Sequence, residues 1–258
     1  MITAGCDVGS LYTKAVVLKD GELVAKGIIP TIGNISQQIP QFLSKLFQQA
    51  GISDEQVDHL IATGRGANLV KSAERSEDYL ICLARAVRHY LPNVNYLLDL
   101  GGQSITGIHF DENAQIVDFM RNDKCASGSG RFLELMSAKL GVELEEIDQV
   151  LSQAKSPVEI SNQCGVFAES EVITYINQGR EKADILAGVC ASVAKIASAQ
   201  ARRFGLGKNY TITGGAGRIH SLIKMLTERL QGNYLAFPQN PELAGAIGAG
   251  LSPLFELK

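Results

Sequence analysis

Nowhere does this sequence concentrate basic residues. Its 24 lysines and arginines are scattered among 27 acidic residues, for a net charge of -3 and a pI near 5.9. A nucleic-acid partner, which needs a basic face, is therefore not expected. No uncharged run approaches the roughly 18 residues that span a bilayer, and Met1-Ile2-Thr3-Ala4-Gly5 has no basic segment leading into an apolar one. The expectation is a cytoplasmic protein that does not engage a membrane. There is no Cys-x-x-Cys, and the five cysteines (Cys6, Cys82, Cys125, Cys164, Cys190) are odd in number and widely spaced. That argues against a disulfide framework and against a zinc or redox site complete within one chain. The four histidines, His59, His89, His109 and His220, share no spacing that makes a metal site. Against these absences, 258 residues with 45% hydrophobic content can build a real core, in one large domain or two modest ones.

Residues 4–18 read as strand, Gly-Ser turn and strand, and Asp20-Gly21 carries the signal of a tight hairpin into Leu23-Val24-Ala25. The result is a three-stranded antiparallel meander. Apolar spacing predicts a helix over 35–50, a strand from Val57 ending at Gly64, and a helix over 72–90. Shifted by 92 residues, the opening recurs: Asp7-Val8-Gly9-Ser10 falls on Asp99-Leu100-Gly101-Gly102, Val16 on Ile108, Asp20-Gly21 on Glu112-Asn113 and Val24 on Ile116. The duplication predicts an α/β protein of two related domains, 1–92 and 93–241, facing each other across a cleft, with a C-terminal helix over about 242–258 packing back on the first. Two Asp-x-Gly turns offer backbone amides and two carboxylates, which suits a triphosphate with Mg²⁺ held by Asp7 and Asp99 through its waters. A strand at 210–213 running into Gly214-Gly215-Ala216 adds a third glycine turn, where a flat ring can lie on the backbone. Residues 222–230 read as helical beyond it, and 241–251 as a small-residue helix suited to close packing.

Two further stretches carry a cysteine ahead of a helix start. Asn122-Asp123-Lys124-Cys125-Ala126-Ser127-Gly128-Ser129-Gly130-Arg131 leads into Phe132-Leu133, and Ile160-Ser161-Asn162-Gln163-Cys164 leads into Gly165-Val166-Phe167-Ala168-Glu169-Ser170-Glu171. Amides at a helix N-terminus favour an anion, and a metal-bound thiolate is one. One such cysteine alone would be an ordinary loop residue; the second stretch of the same kind changes the balance.

Asp7-Val8-Gly9-Ser10, Asp99 to Gln103 and Thr213-Gly214-Gly215 resemble the phosphate-1, phosphate-2 and adenosine motifs of the acetate and sugar kinase, Hsp70 and actin superfamily. The two cysteine stretches are similar to those of a narrower group, the ATP-dependent activators of 2-hydroxyacyl-CoA dehydratases and the related ATPase subunits of benzoyl-CoA reductase, known as the BadF/BadG/BcrA/BcrD ATPases. The likeness runs over essentially the whole chain. It implies duplicated ribonuclease H-like domains around an ATP cleft, and ATP or ADP with Mg²⁺ bound by Gly9, Ser10, Lys14, Gly101, Gly102, Gln103, Gly214, Gly215 and Ala216. It implies catalytic roles for Asp7, Asp99 and Gln103, the last orienting the attacking water. It further implies one four-iron four-sulfur (4Fe-4S) cluster held by Cys125 and Cys164 of two identical subunits. The implied partners are a second copy of the chain, a ferredoxin or flavodoxin donor, and a cluster-containing acceptor enzyme such as a dehydratase or reductase. Two thiolates per chain cannot complete a four-cysteine set, whereas a two-fold axis between copies supplies four. Zinc on the same axis fits that count equally well. ATP would drive the transfer, since moving one electron uphill costs about 2.3 kcal/mol per 100 mV.

The chain departs from the group's usual pattern at Ser104, in place of an aspartate, at Arg65 and Ala67 in Thr63-Gly64-Arg65-Gly66-Ala67, at Leu83, and in Ala216-Gly217-Arg218-Ile219, which lacks a polar asparagine. Two alternatives stay open on these residues: a small-molecule kinase acting on a sugar or amino sugar, and a nucleotide-dependent regulatory module without turnover. Elsewhere plain structural roles are expected. Cys6, Cys82 and Cys190 read as buried thiols, and Glu169 and Glu171 as acids suiting a helix start. Lys14 is either a phosphate ligand or a solvated strand lysine. Arg131 either contacts a partner or the cluster rim, or sits in a surface ion pair.

Overall fold

The computed structural model describes residues 1–111, 115–122, 126–161 and 164–256. The chain forms two compact units, Met1–Val94 with Phe110–Val117 and Phe237–Lys258, and Asn95–His109 with Asp118–Ala236. The protein is α/β.

In the first unit β1 (Ile2–Val8), β2 (Tyr12–Lys19) and β3 (Glu22–Pro30) are antiparallel, with β4 (His59–Thr63) and β5 (Arg75–Ser76) parallel beyond β1, in the order β3-β2-β1-β4-β5. Asp20 (φ 52°) and Gly21 (φ 88°) both take the left-handed conformation that a two-residue hairpin between twisted strands requires. Alternate residues of β1 serve opposite faces. Ala4, Cys6 and Val8 cluster with Ile35, Ile39, Leu43, Leu46 and Phe47, the buried stripe of α1 (Ile35–Gln49). Gly5 lies on the other face, against Ala246 and Gly250 of α8 (Ala244–Glu256), which also packs on α2 (Tyr79–Tyr90).

The helix expected over 72–90 begins only at Tyr79. Glu74 and Glu77 donate their N–H groups to Leu60 and Ala62 of β4 (2.8 Å each), so this backbone is satisfied by the sheet. Asp78 then caps α2, its carboxylate accepting the Leu80 N–H at 2.8 Å.

The second unit repeats the plan. β6 (Tyr96–Leu100), β7 (Ile105–Phe110), β8 (Ile116–Asn122), β9 (Asn209–Thr213) and β10 (Asn233–Tyr234) run in the order β10-β9-β6-β7-β8, which is the first order read backwards. β6 pairs antiparallel with β7 and parallel with β9, as β1 does with β2 and β4. The Glu112-Asn113 turn of the duplication lies outside the described residues. The helices are α3 (Gly130–Lys139), α4 (Ile147–Leu151), α5 (Gly165–Asn177), α6 (Lys182–Phe204) and α7 (His220–Thr227). α6 is the spine of this unit: Ile185, Leu186, Val189, Cys190, Val193 and Ala197 join Leu98, Leu100, Ile212 and Leu222 in one core. It stops at Gly205, whose φ of 93° suits a left-handed cap. Among the described residues α6 alone is long and apolar enough to cross a membrane, and 72% of its apolar window is buried inside the protein, as befits a core helix.

Candidate active site

Each sheet carries an aspartate where its first strand turns. Asp7 is 1% exposed and its Oδ2 accepts from Lys14 Nζ at 2.9 Å. Lys14 is thus engaged with a buried carboxylate and is not a solvated strand residue. The turn closes through the Gly9 N–H, which donates to the Tyr12 carbonyl at 3.1 Å, leaving Gly9 and Ser10 partly exposed. Gly64 ends β4 hard against this carboxylate: a Cβ there would stand 2.3 Å from Asp7 Oδ1. Arg65 beside it is exposed, and the Gly66 N–H donates to the Val8 carbonyl at 3.0 Å.

Asp99 is fully buried, and its Oδ1 accepts from the Thr213 hydroxyl at 2.8 Å. The Gly101 N–H donates to the Ser104 carbonyl at 2.9 Å, closing a turn with Gln103 exposed at its tip. Ser104 therefore serves this turn through its backbone. Gly214 follows β9 at φ 89°, so close to β6 that a Cβ would meet the Leu100 carbonyl oxygen at 2.3 Å. Only glycine fits there. Beyond it Gly215 is exposed and Ala216 buried, in a short 3₁₀ turn.

The second aspartate turn is fastened to the segment that follows Cys125. The Gly130 and Arg131 N–H groups, the first two of α3, donate to the carbonyls of Gly101 (3.0 Å) and Gly102 (2.8 Å). This corrects the expectation that both helix starts point at a thiolate, because these two amides of α3 are already committed to the glycine turn. α5 differs. Cys164 is its N-cap residue, partly exposed, with no side-chain capping bond. Cys125 lies outside the described residues, but the two stretches meet: a Cβ on Gly165 would stand 3.2 Å from Ser127 Oγ and 3.8 Å from the Phe132 ring. Lys139 of α3 reaches Glu169 of α5 at 2.8 Å, and Glu171 accepts from the Ser161 N–H. Both glutamates thus hold the local structure. Arg131 pairs with Glu134 at 2.7 Å.

Cys6, Cys82 and Cys190 are buried, and burial pushes each thiol up to about 12, with the Asp7 carboxylate adding to the effect at Cys6. Among the described residues no three His, Cys, Asp or Glu side chains gather as a metal site. His59 pairs with Glu74 (2.7 Å), His220 with Asp148 (3.3 Å), and His109 packs on the Tyr96 ring. A cavity of about 410 Å³ between α1 and β4, lined by Leu43, Phe47, Asp58 and Leu60, holds none of the motif residues.

The pattern of the BadF/BadG/BcrA/BcrD ATPase family matches residues 4–252. The chain belongs to the BadF/BadG/BcrA/BcrD ATPase family. Among curated proteins the chain is similar to the activator of lactoyl-CoA dehydratase from Anaerotignum propionicum, 36% identical over 97% of this chain and 96% of that protein. The (R)-2-hydroxyglutaryl-CoA dehydratase activating ATPase of Acidaminococcus fermentans is 36% identical over 96% of this chain and 95% of its own length. Among solved structures, the activator of the 2-hydroxyisocaproyl-CoA dehydratase from Clostridium difficile with bound ADPNP superposes with a TM-score of 0.92, at 33% identity over 99% of this chain and 95% of that one.

The two aspartate turns and the glycine turn after β9 are legible in the sequence. Thr213, which bonds Asp99, opens the Thr-Gly-Gly motif, whereas Thr106, on the other side of Asp99 in the sheet, belongs to no motif. The usable signals were the 92-residue shift, which places Thr106 on Lys14, and the Thr-Gly-Gly motif itself, which begins at Thr213.

Proposed function

We propose that this ATPase works as a homodimer that passes a low-potential electron to a cluster-containing partner enzyme, of the 2-hydroxyacyl-CoA dehydratase or CoA-ester reductase kind. Cys125 and Cys164 of each copy would together furnish four thiolates to one 4Fe-4S cluster on the two-fold axis. When bound, the cluster would supply one-electron chemistry between a ferredoxin or flavodoxin donor and the acceptor. The donor set is compatible with it: Cys164 is partly exposed at a helix start, unlike the three buried thiols, and its stretch abuts the residues that follow Cys125. The protein would work in the cytoplasm.

The chain's own residues divide the nucleotide's work. Asp7 and Asp99 hold the waters of Mg²⁺, Lys14 balances charge beside the first turn, and Gln103 orients the water that attacks the terminal phosphate. Backbone amides of Ser10 and Gly102 face phosphate oxygens, with Gly9 and Gly101 closing the two turns that present them, while Gly214, Gly215 and Ala216 leave room for the adenine ring. The observation that carries the coupling is the pair of bonds from Gly130 and Arg131 to Gly101 and Gly102. A phosphate that displaces this turn pulls directly on the start of α3, five residues after Cys125.

Anaerobic purification with iron and sulfide analysis tests the reading. The expected result is about four irons per dimer, lost in Cys164→Ser and Cys125→Ser while ATP binding persists. Colourless protein without iron after reconstitution removes the electron-transfer reading and leaves an ATPase.

A further inference from the structure

The two aspartates sit in equivalent rows that differ at one place. Asp7 is in register with Lys14 on β2 and Thr63 on β4; Asp99 is in register with Thr106 on β7 and Thr213 on β9. Directly paired residues of neighbouring strands project from the same face of a sheet, so each carboxylate is the middle of a row of three. Thr63 and Thr213 correspond, and both hydroxyls are bonded, to the Glu77 carbonyl (2.9 Å) and to Asp99 Oδ1 (2.8 Å). Lys14 and Thr106 also correspond, 92 residues apart, yet one is a cation bonded to its aspartate and the other a neutral hydroxyl.

That hydroxyl is fully buried, and Thr106 Oγ1 has no hydrogen-bond partner. A buried hydroxyl left unbonded is costly, and native chains keep few of them unless something else completes the bond. Next to a carboxylate at the mouth of a glycine turn, carboxylate and hydroxyl oxygens together make the hard donor set that a hydrated divalent cation prefers. We propose that Thr106 is a positioning residue for the divalent cation that enters with the nucleotide at Asp99: its hydroxyl bonds a water of the cation's shell. Threonine in the place of lysine keeps a tethered ammonium out of the second row, so Asp7 meets the cation's waters with its charge already balanced by Lys14, and Asp99 meets them with its charge unbalanced.

This inference rests on reading Asp99 as a cation carboxylate, and the experiment separates the two. Mn²⁺ binding to the full-length chain saturated with ADP is followed by electron paramagnetic resonance, alongside ADP affinity in EDTA. Thr106→Val keeps the shape and removes the hydroxyl; it is expected to weaken Mn²⁺ about tenfold, the scale of one hydrogen bond, with ADP affinity in EDTA unchanged. Thr106→Ser is expected to restore Mn²⁺ affinity to within about threefold. If Asp99→Asn binds Mn²⁺ like the native chain, the reading of Asp99 falls and this inference with it. Loss in Asp99→Asn with native Mn²⁺ affinity in Thr106→Val overturns only the role of Thr106, as does an equal loss of ADP affinity in EDTA, which marks a packing defect.

Discussion

Two helices of this chain are strongly apolar and have opposite fates. α8 is buried from Ala244 to Pro253, and its small residues let backbones touch: a Cβ on Gly5 would stand 1.9 Å from the Ala246 carbonyl oxygen, and one on Gly248 would stand 1.7 Å from that of Cys82. α5 buries only Ala168 and Val172, while Val166 (69%), Phe167 (66%), Ile173 and Ile176 are exposed. Leu135 on neighbouring α3 is exposed as well. The contrast teaches that apolar content does not decide burial. α8 is finished by its own chain, whereas α5 presents side chains of the kind that cover interaction surfaces, and it does so beginning at Cys164.

The largest way to break the contrast is Gly248→Val. The added carbons collide with backbone, which cannot rotate aside, so the first unit should lose about 3 kcal/mol or more, seen as a collapsed thermal midpoint. Thiol chemistry sharpens it next. With pKa values near 12, Cys6, Cys82 and Cys190 should resist iodoacetamide at pH 8 in the folded, iron-free chain, while the partly exposed Cys164 is alkylated; mass spectrometry of the peptides reads this out. The same shifts fix an alkaline limit. Each thiol is protonated longer in the folded chain than in the unfolded one, whose value is near 9.0, so their stabilising contribution is whole below pH 9 and is lost as pH climbs toward 12. Urea midpoints that rise between pH 9 and 11 would refute it.

At the acid end the effect is smaller. Asp184 accepts the Ser156 and Lys155 N–H groups at 2.7 Å, which hold its carboxyl below the usual range. That contribution is present at neutral pH and is lost as pH falls through the lowered value, so Asp184→Asn should flatten the acid limb of the stability profile. The smallest change to the fold is Phe167→Ser. It should leave the unfolding free energy within about 0.5 kcal/mol, yet reduce self-association in sedimentation runs. A native-like association constant would show that this face is covered by something other than a second copy.

The parts of this architecture written in local code were legible. Asp20-Gly21 announces its hairpin because few residue pairs accept that turn, and the Asp-x-Gly repeat announces the second sheet because the same backbone problem is solved twice. The stretch at 72–78 misleads because its polarity fits an exposed helix turn as well as the short β5, and the deciding bonds come from β4, over ten residues earlier. The Asp7–Lys14 pair and the tie from α3 to the Gly101–Gly102 turn were hidden for a related reason. Strand register brings residues 7 and 14 side by side, and the bonds of Gly130 and Arg131 are made by backbone, which carries no residue signature.

The Thr3 hydroxyl bonds the Gly250 carbonyl at 2.7 Å, across 247 positions of sequence. A chain emerging from the ribosome therefore makes β1 long before α8 and must hold one face of it bare until α8 arrives, while the stretch ending at Ala236 has everything its own core requires before that. Order of synthesis and order of completion are thus inverted: the half begun first is closed last, and during that interval the nascent first sheet is the part of this protein most in need of a chaperone.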